Sequence, residues 1–275
     1  VTPAHKFPRG LLLVGCGRMG GALLQGCLAR GIVTADAVTV VEPAEAARAE
    51  AAALGVRAVA DAGGAAEAAP DLILVAVKPQ VIDAVMPAYA RFAGRSVFLS
   101  IAAGRTTASF ERLLGNAAAV VRAMPNTPAQ VGRGITALYA TGRVDAAGRG
   151  LAAALIGAVG DVVWLDNEAQ MDAVTAVSGS GPAYVFHLIE ALAAAARAQG
   201  LPDDLAERLA RATVTGAAEL AYQSPEAAGR LREQVTSPGG TTAAALEVLM
   251  GEGGLADLMT RAVAAAAKRS KELAG

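Results

Sequence analysis

Leu11-Leu12-Leu13-Val14-Gly15-Cys16-Gly17-Arg18-Met19-Gly20 decides the fold of this chain. Four aliphatic residues read as a buried strand, and Met19–Arg30 carries helical spacing. Between them lies Gly15-x-Gly17-x-x-Gly20, in the strand-then-helix context that makes this pattern informative. Gly15 permits a tight turn, Gly17 lets a pyrophosphate approach the backbone, and Gly20 lets the helix lie close on the strand. Arg18 and Met19 open the helix, whose free N–H groups and positive dipole end face the phosphates. Cys16 reads as a small packed residue, not a reactive thiol. A second strand, Val38-Thr39-Val40-Val41, ends at Glu42. An acid there accepts hydrogen bonds from ribose hydroxyls and favours NADH over the 2′-phosphorylated NADPH. The alternatives stay open: Glu42 as a solvated acid, and Arg48, a turn into the next helix, reaching a 2′-phosphate.

Outward from this motif, β-rich runs recur at Ala37–Val41, Asp71–Val77, Ser96–Ile101, Ala118–Ala123 and Asp161–Leu165, with Ala/Leu-rich segments such as Ala44–Leu54 between them. Such alternation predicts an α/β fold, a doubly wound and mainly parallel sheet of Rossmann type. The run Leu72–Val77 is apolar throughout, as a central strand buried on both faces requires. No strand is expected after Leu165. Helical patterns follow at Gln170–Val177, Ala183–Gln199, Asp203–Tyr222, Pro225–Gln234, Thr241–Met250 and Leu255–Leu273. The expected division is therefore a dinucleotide-binding domain over 1–166 and an all-helical domain over 167–275.

Composition narrows the function. Of the 275 residues 54% are hydrophobic, yet the apolar excess is mostly Ala and is interrupted by charge, so no membrane span of ~18 residues is expected. The start of the chain, with Lys6 and Arg9, does not read as a signal peptide. A net charge of -1 and the lack of a Lys/Arg run argue against nucleic acid as a partner. Two cysteines, Cys16 and Cys27, and two histidines, His5 and His187, assemble no metal site and suit a cytoplasmic location. The helical half is too apolar to face water alone, which predicts packing against a second copy.

Further segments are too unusual for generic loops. They are Ala76-Val77-Lys78-Pro79, Ser100-Ile101-Ala102-Ala103-Gly104, Arg122-Ala123-Met124-Pro125-Asn126-Thr127-Pro128, Ser178-Gly179-Ser180-Gly181-Pro182-Ala183-Tyr184 and Thr236-Ser237-Pro238-Gly239-Gly240-Thr241-Thr242. In the last, Ser237, the N–H groups of Gly239 to Thr241 and the Thr242 hydroxyl converge at a helix start, an arrangement suited to an anion such as a carboxylate. An ordinary helix cap is the alternative. Ser178–Gly181 is not a nucleophile elbow, since it lacks the strand-to-helix G-x-S-x-G pattern and a triad partner. It reads as a hinge before a long helix. His187, alone on that helix, is expected to be a packed core residue.

From about Leu11 to Leu273 the chain resembles the pyrroline-5-carboxylate reductases, above all in SGSGPAY and SPGGTT, in that order and separation. The resemblance implies hydride transfer from NADPH or NADH to the C=N bond of 1-pyrroline-5-carboxylate, giving L-proline. It places Val77, Lys78 and Pro79 along the cofactor, Ala102 and Ala103 beside the nicotinamide, and Asn126 near that ring. It assigns the substrate carboxylate to Ser237, Gly239, Gly240, Thr241 and Thr242, and gives the Thr242 hydroxyl the ring nitrogen, which makes Thr242 the expected catalytic residue. It implies a homodimer formed by exchange of helices, and in the family often a ring of dimers. Two departures stand out. Leu231-Arg232-Glu233 replaces a more usual Leu-Lys-Asp, and Glu42 replaces a neutral polar residue, which puts cofactor preference in question. The rival readings are another dehydrogenase with a helical second domain and a non-catalytic nucleotide-dependent protein.

Overall fold

The structure is a computed structural model and describes residues 7–274. His5 and Lys6 lie outside the described residues. The chain divides into two compact units. The first runs to Gly179 and takes in the chain from Lys268 onward; the second is Ser180–Ala267.

The first unit is built on eight strands: β1 (Leu11–Val14), β2 (Val38–Val41), β3 (Arg57–Val59), β4 (Leu72–Val75), β5 (Val97–Ser100), β6 (Ala119–Met124), β7 (Gly134–Ala140) and β8 (Gly160–Trp164). Their order across the sheet is β3-β2-β1-β4-β5-β6-β7-β8. All neighbouring pairs are parallel except β6 and β7, where Ala123 lies opposite Leu138. Alternate side chains of β1 and β4 feed opposite faces, as strand geometry requires. Leu11, Leu13, Leu72 and Leu74 join one core, with Leu23, Leu24 and Cys27 of α1 (Arg18–Ala29). Leu12, Val14, Ile73 and Val75 join the other, with Ile82, Met86 and Phe110. The helices α2 (Glu45–Ala53), α3 (Ile82–Val85), α4 (Thr107–Leu114) and α5 (Ala146–Ile156) complete the two layers. Ala51 of α2 and Ala152, Leu155 and Ile156 of α5 lie in the α1 layer.

Two strands escaped the sequence reading. β3 has only three residues, too few to show an alternation. β7 reads Gly-Ile-Thr-Ala-Leu-Tyr-Ala, and its buried positions include Thr136 and Ala137, so its inward face carries little apolar weight. The helix expected at Gln170–Val177 is also different. α6 (Met171–Val174) passes into a π-helical turn at Thr175–Gly179. There Thr175 Oγ1 donates to Met171 O at 2.8 Å and Ser178 Oγ to Val174 O at 3.0 Å, hydroxyl bonds that compete with the regular backbone ladder.

The second unit holds α7 (Gly181–Ala198), α8 (Asp203–Gln223), α9 (Ala228–Gln234), α10 (Thr241–Leu249) and most of α11 (Leu255–Ala274). Arg197, in the last turn of α7, reaches Asp203 at 2.6 Å and Glu207 at 2.8 Å on α8. The C-terminal turns of α11 belong to the first unit, where Ser270 Oγ donates to Asp172 Oδ1 at 2.6 Å. Among the described residues, the buried ones of the second unit are Ala193, Ala206 and Ala210. Large apolar side chains stand open on four of its helices: Phe186 at 62% exposure, Leu220 at 58%, Val248 at 76% and Leu258 at 50%. Full burial of such a side chain stabilises by about 1.5–3 kcal/mol, so a second copy has a strong drive to cover them. Among the described residues no helix is long and apolar enough to cross a membrane.

Light scattering at micromolar concentration is expected to return at least twice the mass of one chain. Phe186→Asp should shift that distribution toward single or aggregated chains, at a cost of about 2 kcal/mol per copy.

Candidate active site

Gly15 leaves β1 at φ +88°, a conformation that L side chains avoid, and donates its N–H to Val41 O at 2.9 Å. A Cβ on Gly15 would stand 2.8 Å from Val77 Cγ1, and one on Gly20 would stand 2.6 Å from Gly15 O. Neither fits. Gly17 is the opposite case: nothing lies within 4 Å of an added Cβ. Gly17 is also the cap position of α1, no side chain caps the helix, and no acid occupies its first turn. The first N–H groups of α1 are thus left for an anion that approaches over Gly17, which suits a dinucleotide pyrophosphate. Arg18 is exposed there, and Met19 packs partly on the core.

Glu42 follows β2 and turns back on the glycine turn. Its Oε2 accepts the Cys16 N–H at 2.7 Å and its Oε1 the Ala44 N–H at 3.0 Å. Arg48 Nη1 donates to Glu42 O at 3.0 Å and to Pro43 O at 2.9 Å. A groove of about 820 Å³ runs beside the turn, lined among others by Cys16, Gly17, Arg18, Gln25 and Glu50. Burial, and then the Glu42 and Glu50 carboxylates, push the Cys16 thiol above its ordinary pKa. Burial alone pushes Cys27 up to about 12. Both cysteines are free thiols.

The other first-unit residues singled out in the sequence follow the C-terminal ends of β4, β5 and β6, where open parallel sheets bind ligands. Val77 is half-buried against Gly15, Lys78 is exposed, and Pro79 opens the short turn Pro79–Val81. Ala102 is buried and donates its N–H to Ser100 Oγ at 3.2 Å, while Ala103 is exposed. Arg105, just beyond, pairs with Asp83. Asn126 is buried with both ends of its amide engaged. Nδ2 donates to Ser178 O of the π-turn at 3.2 Å, and Oδ1 accepts the Ile135 N–H at 3.0 Å. Asn126 therefore ties the β6–β7 connection to two other segments. Glycine turn, Glu42 and Val77 are drawn together by direct contact; Lys78 makes no hydrogen bond to them.

One cluster was not read from sequence. Glu168 accepts the Thr107 N–H at 2.9 Å, the Thr107 hydroxyl at 2.6 Å and Arg122 Nη1 at 2.9 Å. These partners lie 61 and 46 positions away, and no local pattern marks such a meeting.

In the second unit, Gly239 takes φ +69° and Gly240 donates its N–H to Ser237 O at 3.1 Å, which closes the turn before α10. Gly240 is the cap position, and no side chain caps the helix. The ordinary Ser/Thr cap weighed as an alternative is therefore not formed. Ser237 Oγ lies 2.5 Å from where a Cβ on Gly240 would stand, so its hydroxyl faces the open helix start. Thr241 is exposed and Thr242 half-buried in the first turn. The expectation for His187 was wrong. Its side chain is 80% exposed, with Nδ1 3.0 Å from Glu190 Oε2, because the apolar positions of α7 are themselves open in the single chain.

Comparison with known proteins agrees with this arrangement. A family model described as pyrroline-5-carboxylate reductase dimerisation matches residues 168–273, and one described as NADP oxidoreductase, coenzyme F420-dependent, matches residues 11–104. The chain is 42% identical to the pyrroline-5-carboxylate reductase of Pseudomonas aeruginosa over 96% of either protein. The solved structure of a pyrroline-5-carboxylate reductase from Coxiella burnetii matches with a TM-score of 0.90 at 37% identity, covering 97% of this chain and 98% of that one. That of Plasmodium falciparum pyrroline carboxylate reductase with NADP bound matches with a TM-score of 0.80 at 27% identity, with the same coverage. Identity at this level, sustained along nearly the whole of each relative and through both units, makes this chain a member of the pyrroline-5-carboxylate reductase family.

Proposed function

We propose that this nicotinamide-dependent oxidoreductase reduces 1-pyrroline-5-carboxylate to L-proline and prefers NADH. One observation carries the reading. At α1 and at α10 a glycine is itself the cap position, and no side chain caps the helix. The first suits a pyrophosphate and the second a carboxylate. When bound, the reduced nicotinamide supplies the hydride that adds to the imine carbon, while the imine nitrogen holds a proton.

The chain's own residues orient the reactants. In this reading Gly15, Gly17, Arg18, Met19 and Gly20 hold the pyrophosphate, and Val77, Lys78 and Pro79 lie along the dinucleotide. Ala102 and Ala103 form the wall beside the nicotinamide, and Asn126 holds its loop in place. Ser237, Gly239, Gly240 and Thr241 bind the substrate carboxylate, and the Thr242 hydroxyl holds the ring nitrogen. A protonated imine is already electrophilic, so positioning supplies most of the catalysis and no acid–base dyad is required.

The preference for NADH rests on Glu42. Its carboxylate sits against the Cys16 N–H, and a ribose 2′-phosphate brought to this strand end would meet a like charge. Arg48, the candidate phosphate partner, already donates to two backbone carbonyls. Two free thiols suit a reducing cytoplasm. Apolar side chains open on four helices support assembly with a second copy, and a ring of dimers is what the family resemblance adds.

Steady-state kinetics with the two cofactors side by side should give kcat/KM at least about tenfold higher with NADH, a difference of ~1.4 kcal/mol. Glu42→Ser should narrow that ratio, and a wild-type preference for NADPH would overturn the assignment. Thr242→Ala should lower kcat about 100-fold with an unchanged melting temperature; near-wild-type turnover would remove Thr242 from the mechanism. Alkylation of Cys16 should have its midpoint at higher pH than a free thiol, because its raised pKa keeps the thiolate scarce at neutrality. Saturating NADH should slow that alkylation if the glycine turn holds the cofactor.

A further inference from the structure

Glu168 has no place in the reaction as described so far, yet its carboxylate accepts three hydrogen bonds from two distant segments. Its side chain is 21% exposed, that of Arg122 is 8% exposed, and Thr107 is buried. Asn167 and Gln170 form a capping box around it. The Asn167 side chain accepts the Ala169 N–H at 2.9 Å, and the Gln170 side chain accepts the Asn167 N–H at 3.4 Å. The backbone that carries Glu168 is therefore fixed before its side chain reaches out.

The carboxylate then grips two segments. Thr107 is the first residue of α4, and Glu168 takes both its N–H and its hydroxyl, a negative charge at the positive end of the helix. Only four residues separate Thr107 from Ala102, and that stretch is short and closed. Arg105 N donates to Ala102 O at 3.4 Å, and Thr106 Oγ1 caps α4 by accepting the Ser109 N–H at 3.2 Å. On the other side, Arg122 lies on β6, three residues before the Pro125-Asn126 loop. Its guanidinium is buried, so the carboxylate that neutralises it also fixes where it sits. One side chain thus links the 102–106 turn to the root of the Asn126 loop.

We propose that Glu168 is a positioning residue for hydride transfer, a brace that sets the spacing of the Ala102-Ala103 turn and the Asn126 loop. The proposal rests on the reading above that these two segments flank the nicotinamide. Glu168 touches neither the glycine turn nor Glu42, so the brace acts on the reacting end of the cofactor and leaves its pyrophosphate end alone. A displacement of about 1 Å at a reacting centre can cost up to about 100-fold in rate, which is the scale on which the brace matters.

The test compares wild type with Glu168→Gln, which keeps the shape and removes the charge, by single-turnover oxidation of NADH with saturating pyrroline-5-carboxylate. The expected result is a fall of about tenfold or more in the single-turnover rate, with the NADH dissociation constant within twofold of wild type. A rate within twofold of wild type overturns the proposal. Because the variant leaves Arg122 buried and unpaired, it also loses stability, and a second variant separates the two effects. Glu168→Gln combined with Arg122→Met removes both charges and should recover most of the lost melting temperature. The brace predicts that its rate stays low; recovery of the rate together with stability would show a merely structural residue and overturn it. Ala103→Trp tests the underlying reading. If it is as active as wild type, the turn does not face the nicotinamide and that reading fails. If it is inactive while Glu168→Gln is unimpaired, the brace alone fails.

Discussion

No side chain fits where α1 meets β1 and β4, and the rest of the first unit depends on that fact. Gly20 lets the helix backbone come down on Gly15, and Gly15 lets the turn lie against Val77. A methyl group at either position would push the helix start away from the strand ends. The same approach leaves Gly17 standing in open space with uncapped N–H groups behind it. Gly15 and Gly20 close the core against α1, and Gly17 between them leaves the helix N-terminus open.

Around this point the charges are held by backbone as much as by other charges. Glu42 is kept in place by the N–H groups of Cys16 and Ala44, and Arg48 by two carbonyls. Among the described residues Glu168 and Arg122 form a mostly buried ion pair, and there the Thr107 N–H and hydroxyl also donate to the carboxylate. That is the condition under which burial of a charged pair is tolerated. The second unit follows another rule. The turn before α10 is built from glycines and a proline, with no charged side chain, and presents backbone N–H groups and hydroxyls.

The strand–helix alternation and the glycine turn were legible because they are local. β1, β2, β4, β5, β6 and β8 each carry four or more consecutive residues of strand character, and Gly15–Gly20 stands in its proper context. β3 and β7 were not legible, one too short and the other too poor in large apolar residues. The candidate site residues sit at strand ends and helix starts, in segments that composition singled out and to which the family resemblance gave their expected roles. What composition could not reveal is the partner of each side chain. That both ends of the Asn126 amide are engaged, that Glu42 turns back to Cys16, and that Glu168 joins Thr107 to Arg122 are meetings across the fold. His187 was misjudged for a related reason. The apolar pattern of α7 was legible, but the surface that covers it is not contained in one copy.

Among the described residues the second unit buries only three alanines, so much of its apolar surface is left for a second copy to cover, and association adds to its stability. Folding and association are then coupled, and the stability of each copy depends on the concentration of the others. A fall in that concentration destabilises every remaining copy.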